Sequence, residues 1–375
     1  MSGKGMIIMA NSVYMPVKCL WGKNAVNDNP SALALGKRCL IVTGKNSAKA
    51  SGALDDATNA LEKQGIGYAI FDGISENPLI SACHKAGKAA RNADADFILG
   101  IGGGSVLDGS KAVAIYASNA DLTPIDIYKG EYKNPPLPLA LIGTTAGTGS
   151  EVTAVAVLTN DETGTKKSIK GKDCYAAVSF CDPQYTHSMS YKTTVSTALD
   201  AFAHAVEGFF TDKCGGVLRL YAEKCIPQLY TCLKALSQAD AVAPELREPL
   251  YDASIYAGLV INDCGTGFPH PLGYVLTENY GVPHGMACAA FFAPYIDRCA
   301  QFAPEKFRDF VAMTAEISEV KEVIASLTDL GGASIGAEKA KEYALRWQSV
   351  IPGNFTASPG GLTQKEAAEF LALIV

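Results

Sequence analysis

The chain has 375 residues, with 32 Lys and Arg against 38 Asp and Glu, so its formal net charge is -6. This length accommodates about two domains of roughly 100–200 residues each. A content of 48% hydrophobic and 19% charged residues is typical of a packed globular protein rather than a disordered chain. The mildly acidic balance, without long runs of Lys and Arg, argues against nucleic acid as a partner.

Neither the hydropathy nor the cysteine pattern indicates a membrane or secreted protein. No stretch approaches the roughly 18 apolar residues needed to span a bilayer. Asn11 and Ser12 interrupt the apolar run after Lys4 too early for a signal sequence. The 11 cysteines are scattered, odd in number and without a C-x-x-C pair, which favours reduced cysteines used as small hydrophobic residues. We therefore expect a cytoplasmic protein that makes no contact with membranes.

Short β-rich runs alternate with helical patterns in the first half of the chain. The predicted strands are residues 38–43, 68–71, 97–101, 139–142 and 176–180. The predicted helices between them are residues 48–63, 78–92 and 106–117. Continuous apolar strands separated by helices predict a parallel sheet with helices on both faces.

After Asp182-Pro183 the periodicity becomes helical. Helices are predicted at residues 193–211, 217–237 and 244–261, and similar patterns continue to the C-terminus. The predicted organisation is therefore an α/β domain, residues 1–184, followed by an all-α domain, residues 185–375.

A glycine-rich loop, residues 100–105, follows the third predicted strand and opens a helix. Glycines such as Gly103 and Gly104 let the backbone approach a phosphate, and the helix N-terminus offers free N–H groups. Ser105 and Asp108 are predicted to cap this helix. A tight strand-to-helix turn without a ligand is the alternative interpretation.

A second loop, residues 143–151, follows the next strand and contains the hydroxyl residues Thr144, Thr145 and Thr148. Two such loops at the carboxyl ends of parallel strands favour a ligand site there. The spacing is neither the G-x-G-x-x-G fingerprint after a first strand nor a P-loop, which would end in G-K-[ST]. Lys167 is a candidate cation for this site, and a solvated surface lysine is the equal alternative.

A candidate metal site lies in the helical half. Asp200 and His204 are four residues apart in an apolar context, which places both on one helix face. His270 and His284 follow in glycine- and proline-rich segments, and Pro283 suggests a helix start before His284. One carboxylate and three imidazoles suit Zn(II) or Fe(II), whereas satisfied core or surface histidines are the alternative.

Together these segments resemble the iron-containing (group III) alcohol dehydrogenase family, from about residue 15 to the C-terminus. The matching segments are Gly102-Gly103-Gly104-Ser105 with Asp108 and Lys111, residues 144–151, Asp200 with His204, residues 267–274, and Pro283-His284-Gly285. The resemblance implies a dehydroquinate synthase-like architecture, with an N-terminal dinucleotide-binding domain, a C-terminal helical domain and the site between them. It also implies a homodimer.

The resemblance further implies that Asp200, His204, His270 and His284 bind one divalent ion, usually Fe(II) and sometimes Zn(II). It implies that the two glycine loops and Lys167 hold the nicotinamide cofactor. The expected reaction is hydride transfer between a small primary alcohol or diol and that cofactor. The alternatives are a glycerol dehydrogenase-like polyol oxidoreductase, a dehydroquinate synthase-type lyase, a metal-dependent hydrolase and a non-enzymatic binding protein.

The chain departs from the family pattern beside the third ligand. Many members carry another histidine four residues after that ligand, whereas this chain has Tyr274. A proton-relay role for that histidine therefore cannot be carried over. Tyr274, a ribose hydroxyl or bound water remain as possible relays.

A second departure concerns the choice of cofactor. NAD-preferring members often have an Asp just after the first strand, where this chain has Gly44. Without that carboxylate a 2'-phosphate is not repelled, and Asn46, Ser47 and the nearby Lys45 or Lys49 offer donors to it. The sequence therefore predicts a preference for NADP(H), with NAD(H) as the other possibility.

Overall fold

The computed structural model describes residues 13–350 and 352–374. The strands are β1 (Lys18–Trp21), β2 (Arg38–Thr43), β3 (Gly67–Phe71), β4 (Phe97–Gly102), β5 (Leu139–Gly143), β6 (Val155–Thr159), β7 (Lys166–Lys170) and β8 (Val178–Cys181). The helices of the first half are α1 (Ala25–Asp28), α2 (Ser47–Ala50), α3 (Ala53–Lys63), α4 (Ile80–Asn92) and α5 (Gly104–Ser118).

Six strands form one parallel sheet in the order β1-β8-β5-β4-β2-β3. Side chains alternate across β2, so that Leu40 and Val42 lie in the core with α4 and α5, whereas Cys39 and Ile41 pack with α3. The predicted parallel sheet with helices on both faces is confirmed.

Three features of this half differ from the prediction. The helix predicted over residues 48–63 is divided into α2 and α3 at Gly52, which has φ 81. The edge strand β1 is short and partly exposed, and therefore has no continuous apolar pattern. Strands β6 and β7 form an antiparallel pair, and the polar sequence KKSIK of β7 gave no strand signal.

The second half is helical. Its helices are α6 (Tyr191–Phe210), α7 (Gly216–Leu236), α8 (Arg247–Cys264), α9 (Pro269–Tyr280), α10 (His284–Ala289), α11 (Phe292–Phe302), α12 (Pro304–Met313), α13 (Ile317–Leu327), α14 (Ala337–Val350), α15 (Pro352–Ala357) and α16 (Gln364–Leu371). A 3-10 turn, Pro183–Thr186, connects β8 to this half and contains the predicted division at residues 184 and 185. The predicted fold class, an α/β half followed by a helical half, is confirmed.

Within the described ranges, no helix is both long and apolar enough to cross a bilayer. The residues on which the signal-sequence prediction rests, Lys4, Asn11 and Ser12, lie outside the described part of the chain. All the cysteines are free thiols, and every one except Cys19 is buried.

Candidate active site

Helix α6 carries three polar groups of the site on one face. Its N-cap is Ser190, whose hydroxyl accepts a hydrogen bond from the Thr193 amide at 3.1 Å. Asp200, His204 and Glu207 follow at spacings of four and three residues, so they lie on the same side of the helix. All three are buried. Burial of such groups is unfavourable unless each has a partner, so this face of the helix indicates a binding site for a ligand or a metal ion.

Two further helices bring the remaining histidines to this face. His270 is the second residue of α9, and His284 is the first residue of α10, directly after its N-cap Pro283. Helix α10 contacts α6 so closely at Gly285 that a Cβ there would overlap the Ser196 carbonyl oxygen. The glycine after His284 is therefore required for this approach.

Three of the predicted ligands, all histidines, lie close to the carboxylate of the fourth, Asp200. The Nε2 atoms of His204 and His270 both lie 3.6 Å from Asp200 Oδ1. His284 Nε2 lies 3.7 Å from the same oxygen. Neighbouring donors in a tetrahedral site with bonds of about 2.0–2.2 Å are about 3.3–3.6 Å apart. The arrangement therefore fits a single divalent ion such as Zn(II) or Fe(II).

Unpartnered polar atoms support this fit. Asp200 Oδ1 and His270 Nε2 are fully buried, and no hydrogen-bond partner for either is found among the described residues. Such atoms are rare in folded proteins, because the desolvation of an unpaired polar group costs roughly 1–3 kcal/mol. A bound cation would satisfy both atoms at once.

Glu207 contacts the ring nitrogen of His270 that faces away from Asp200. Its Oε1 atom lies 2.8 Å from His270 Nδ1, and the carboxylate is only 1% exposed. A carboxylate at Nδ1 favours the tautomer with its proton there, which leaves the Nε2 lone pair for an ion. Glu207 is thus a positioning residue that the sequence interpretation missed.

The protonation states of the site suit a cation. Burial lowers the pKa of His204 to about 4 and that of His284 well below its ordinary value. Burial also opposes protonation of His270, but the Glu207 and Asp200 carboxylates raise its pKa to about 10. Burial would raise the pKa of Asp200, yet the surrounding histidines, His204 first, lower it below its ordinary value. The site thus holds an ionised carboxylate and two neutral imidazoles, and an ion at His270 would replace a proton.

The cluster is open to solvent on one side only. The His284 side chain is 27% exposed, whereas those of the other three ligands are at most 8% exposed. Tyr274 stacks on His284, with ring centroids 5.3 Å apart. The Lys166 ammonium lies 5.4 Å from the centre of the Tyr274 ring, and burial lowers the pKa of this lysine. A substrate would therefore approach past His284, Tyr274 and Lys166.

The two glycine loops lie side by side at the ends of the adjacent strands β4 and β5. A Cβ on Gly104 would overlap the Thr148 side chain, and one on Gly103 would lie 2.9 Å from Thr145 Cγ2. Thr144 Oγ1 is buried without a hydrogen-bond partner in the described structure. The two loops therefore pack directly against each other through their glycines and threonines.

The predicted capping of α5 by Ser105 and Asp108 is wrong. The N-cap is Gly103, and no side chain caps it. Ser105 Oγ instead accepts a hydrogen bond from the Asn77 amide at 3.2 Å. The Asp108 carboxylate accepts one from the Val157 amide at 2.8 Å. Both residues lie inside the helix and bind neighbouring segments rather than the N-terminal amides.

Lys111 connects α5 to the second glycine loop from below. Its Nζ atom donates to Ser150 Oγ and to the Val155 carbonyl at 2.8 Å each, and to the Thr153 carbonyl at 3.0 Å. Asp108 lies 3.6 Å from this ammonium and accepts a bond from Ser150 Oγ at 2.6 Å. Because Lys111 is completely buried, this network fixes the end of the loop, and Asp108 is part of it.

The end of β2 holds the residues predicted to select the cofactor. Gly44 is half-buried, and Asn46 and Ser47 follow at the start of α2. Lys45 forms an exposed ion pair with Asp72 at 2.9 Å. The charge of Lys45 is therefore partly balanced, which leaves less of it for a 2'-phosphate.

Strand β7 places the predicted Lys167 away from the metal cluster. Lys167 is exposed, and its ammonium lies 5.0 Å from the centre of the Tyr128 ring. The preceding residue, Lys166, points the other way and is 8% exposed. Successive residues of a strand face opposite sides, and the sequence alone does not show which of two adjacent lysines faces inward. A cofactor contact by Lys167 remains a prediction.

The second glycine loop is also adjacent to the metal ligands. A Cβ on Gly147 would lie 2.7 Å from Thr197 Cβ, three residues before Asp200 on α6. A Cβ on Gly149, whose φ is 59, would lie 2.5 Å from Gly258 Cα on α8. The candidate cofactor loop and the candidate metal site therefore share one wall.

The family model described as iron-containing alcohol dehydrogenase matches residues 16–183. The model for the C-terminal part of the Fe-containing alcohol dehydrogenase family matches residues 194–343. The chain therefore belongs to the iron-containing alcohol dehydrogenase family, and the predicted resemblance is confirmed.

Individual relatives agree with this assignment. The chain is 32% identical to 1,3-propanediol dehydrogenase of Klebsiella pneumoniae, over 83% of this chain and 82% of that protein. It is 28% identical to lactaldehyde reductase of Escherichia coli strain K12, over 88% and 85% of the two chains. The crystal structure of an iron-containing alcohol dehydrogenase from Thermotoga maritima superposes with a TM-score of 0.85 at 33% identity, over 96% of this chain and 98% of that one. These relatives are dehydrogenases and reductases of small alcohols and aldehydes.

Proposed function

We propose that this protein is a metal-dependent alcohol dehydrogenase and aldehyde reductase that uses NADP(H) and acts on a small primary alcohol or diol. The observation that carries the proposal is the adjacency of two sites. A buried carboxylate and three imidazoles converge on α6, and a glycine loop suited to a dinucleotide packs against the same helix at Thr197.

Asp200, His204, His270 and His284 would hold the divalent ion, Fe(II) or Zn(II). When bound, the ion supplies Lewis acidity to the substrate oxygen. The protein positions this chemistry: Glu207 fixes the His270 ring, and burial excludes water from all but the His284 side.

The glycine loops would bind the cofactor pyrophosphate through the backbone amides at the start of α5. Gly103, Gly104, Ser105, Thr145 and Thr148 belong to these loops. The nicotinamide end would then extend toward the open side of the metal cluster. The Lys166 ammonium and the Tyr274 ring line that side, and we propose Tyr274 as a candidate proton relay.

The neighbouring lysines Lys166 and Lys167 allow a matched test of this placement. Lys166→Met is expected to raise KM for the cofactor or lower kcat, because it removes a buried cation beside Tyr274. Lys167→Met removes an exposed cation from the same strand and is expected to leave both constants near those of the parent. The opposite ranking would restore the original assignment to Lys167.

NADP(H) is proposed because Gly44 offers no carboxylate to repel a 2'-phosphate. Gly44→Asp is expected to shift the ratio of kcat/KM values toward NAD. Any Cβ at this position would lie 3.0 Å from the Ile74 carbonyl oxygen, so Gly44→Ala is the control for that contact. An equal shift in both variants would show that the carboxylate is not responsible.

The primary experiment removes the metal with a chelator and restores either Fe(II) without oxygen or Zn(II). Reduction of NADP and NAD is then followed with a panel of primary alcohols, diols and glycerol. Turnover that depends on metal and is faster with NADP supports the proposal. His270→Ala is expected to lose both metal and turnover, whereas His187→Ala, at an exposed position, retains both.

The same panel distinguishes the alternatives. A strong preference for glycerol would indicate a polyol oxidoreductase. Metal binding without any nicotinamide binding would favour a hydrolase that uses the ion to activate water. A homodimer remains our expectation from the resemblance, and a cytoplasmic location remains our expectation from the hydropathy pattern. Sedimentation analysis of the full chain measures the oligomeric state.

A further inference from the structure

A thiol is directed at the metal cluster in addition to the four predicted ligands. Cys288 lies four residues after His284 on α10, so the two side chains share a helix face. Its sulfur is 3.8 Å from His284 Nε2 and 3.9 Å from His284 Nδ1. Cys288 is 1% exposed, so the thiol is shielded from solvent.

The sulfur belongs to a compact group of donor atoms. Donor atoms of Asp200, His270, His284 and Cys288 all lie within 4.8 Å of one another. Nitrogen and sulfur bound to one ion at about 2.0–2.1 and 2.3 Å are about 3.6–3.8 Å apart at tetrahedral to trigonal angles. The distance between Cys288 Sγ and His284 Nε2 falls within that range, but the nearly equal distance to Nδ1 places the sulfur beside the imidazole ring rather than along the Nε2 lone pair. The Cys288 side chain must therefore rotate to bind an ion held by His284 Nε2.

The group also contains the unpartnered atoms that mark the metal position. Asp200 Oδ1 and His270 Nε2 are buried without a hydrogen-bond partner in the described chain. Both are members of the same compact group as Cys288. The thiol therefore adjoins two buried polar atoms, 3.6 Å apart, for which the described residues offer no hydrogen-bond partner.

We propose that Cys288 is a further donor at this site, which binds soft divalent ions through its sulfur and so determines which metal supports turnover. This inference rests on the metal site of the proposed function but not on its substrate. On binding, the S–H bond breaks, the proton leaves to solvent and the sulfur donates an electron pair to the ion. No oxidant or reductant is required.

The consequence concerns the choice of metal. Thiolate donors favour softer ions, whereas carboxylate and imidazole also suit Fe(II). Sulfur bound to Zn(II) or Cd(II) would add a negative charge and occupy space that the substrate oxygen needs. The chain would therefore be less active with Zn(II) than with Fe(II), and Cys288→Ser would gain activity with Zn(II).

The test uses the full chain with its metal replaced by Co(II) or Cd(II). Thiolate coordination produces a near-ultraviolet charge-transfer band that oxygen and nitrogen donors do not produce. We compare the parent, Cys288→Ser, Cys288→Ala and Cys232→Ser, the last at a buried thiol of α7. The band is expected in the parent and in Cys232→Ser, and is expected to be lost in both Cys288 variants.

A second measurement on the unmodified chain covers the case in which the Cys288 variants fail to fold. Alkylation rates of Cys288 and of the similarly buried Cys232 are compared with and without Cd(II) by peptide mass spectrometry. Bound Cd(II) is expected to slow alkylation of Cys288 more than that of Cys232, so that protection by the metal is distinguished from burial. Stoichiometric binding of Co(II) and Cd(II) without a charge-transfer band or protection would overturn the role of Cys288 and leave the proposed function standing. Failure to bind any divalent ion would overturn the metal site itself, and the proposed function with it.

Discussion

The contact between Glu207 and His270 gives the sharpest test of how the site is built. The change is Glu207→Gln, which keeps the side-chain shape and an acceptor for the His270 Nδ1–H but removes the negative charge. In the structure the two atoms are 2.8 Å apart and buried. A hydrogen bond to a charged group contributes about 1.5–3 kcal/mol.

That energy corresponds to roughly a 10- to 100-fold change in affinity, since 1.4 kcal/mol is about tenfold. The same range is typical when an outer partner of a metal-bound histidine is removed. We therefore expect Zn(II) or Co(II) to bind Glu207→Gln about 10- to 100-fold more weakly. Glu207→Ala should weaken binding further, because the Nδ1–H then loses its acceptor.

Binding is measured by competition with a chelator of known affinity, and stability by denaturation of the metal-free protein. Burial raises the pKa of Glu207, but its ion pair with protonated His270 opposes this in the metal-free protein. The two effects of removing the charge therefore offset each other in metal-free stability, and metal affinity is expected to fall by more than stability does. A fall in stability with unchanged affinity would indicate a purely structural role. Unchanged metal affinity in Glu207→Gln would refute the reasoning.

Three further predictions concern stability and loop placement. Lys111→Met should lower the unfolding free energy by about 3–5 kcal/mol, because it leaves the Asp108 carboxylate without its cation. The control Lys129→Met, at an exposed ion pair with Asp126, should lower it by less than about 1 kcal/mol. Chemical denaturation of both variants measures these changes. Gly285→Ala should weaken metal binding, measured by chelator competition. Gly147→Ala should raise KM for the cofactor, measured by steady-state kinetics. If Gly285→Ala changed only the KM and Gly147→Ala only the metal affinity, the packing of these glycines against α6 would not explain the site. Zn(II) at about 100 times its Kd should stabilise the protein by about 2.7 kcal/mol, and in a thermal melt His270→Ala should show no such gain.

The sequence was sufficient to predict the sheet and to indicate where polar side chains of the candidate metal site cluster. Buried parallel strands are continuously apolar, and therefore β2, β4 and β5 were predicted almost to the residue. The candidate ligands were predicted from an Asp and a His four residues apart in an apolar helix together with the family resemblance. The structure places the three histidine Nε2 atoms within 3.7 Å of Asp200 Oδ1, and their role as ligands remains a prediction.

What the sequence could not supply was the direction of individual side chains. Lys166 and Lys167 are adjacent in β7 and face opposite sides of it, and the sequence does not show that β6 is the partner strand or which side is buried. Glu207 could have been suspected from its position three residues after His204 on the same helix face. Cys288 follows His284 by four residues, but a buried cysteine is usually a small hydrophobic residue, and only the fold shows what it faces.

One turn of α6 explains why the candidate metal and cofactor sites are adjacent. Ser196 lies under the glycine that begins α10, and Thr197 lies under the glycine loop that follows β5. Asp200 comes one turn later and is the oxygen that all three histidines surround. The consecutive residues Ser196 and Thr197 therefore determine how closely α10, which carries His284, and the second glycine loop approach α6. Because neither contact tolerates a Cβ, the distance between the two sites is set by close backbone packing rather than by flexible side chains.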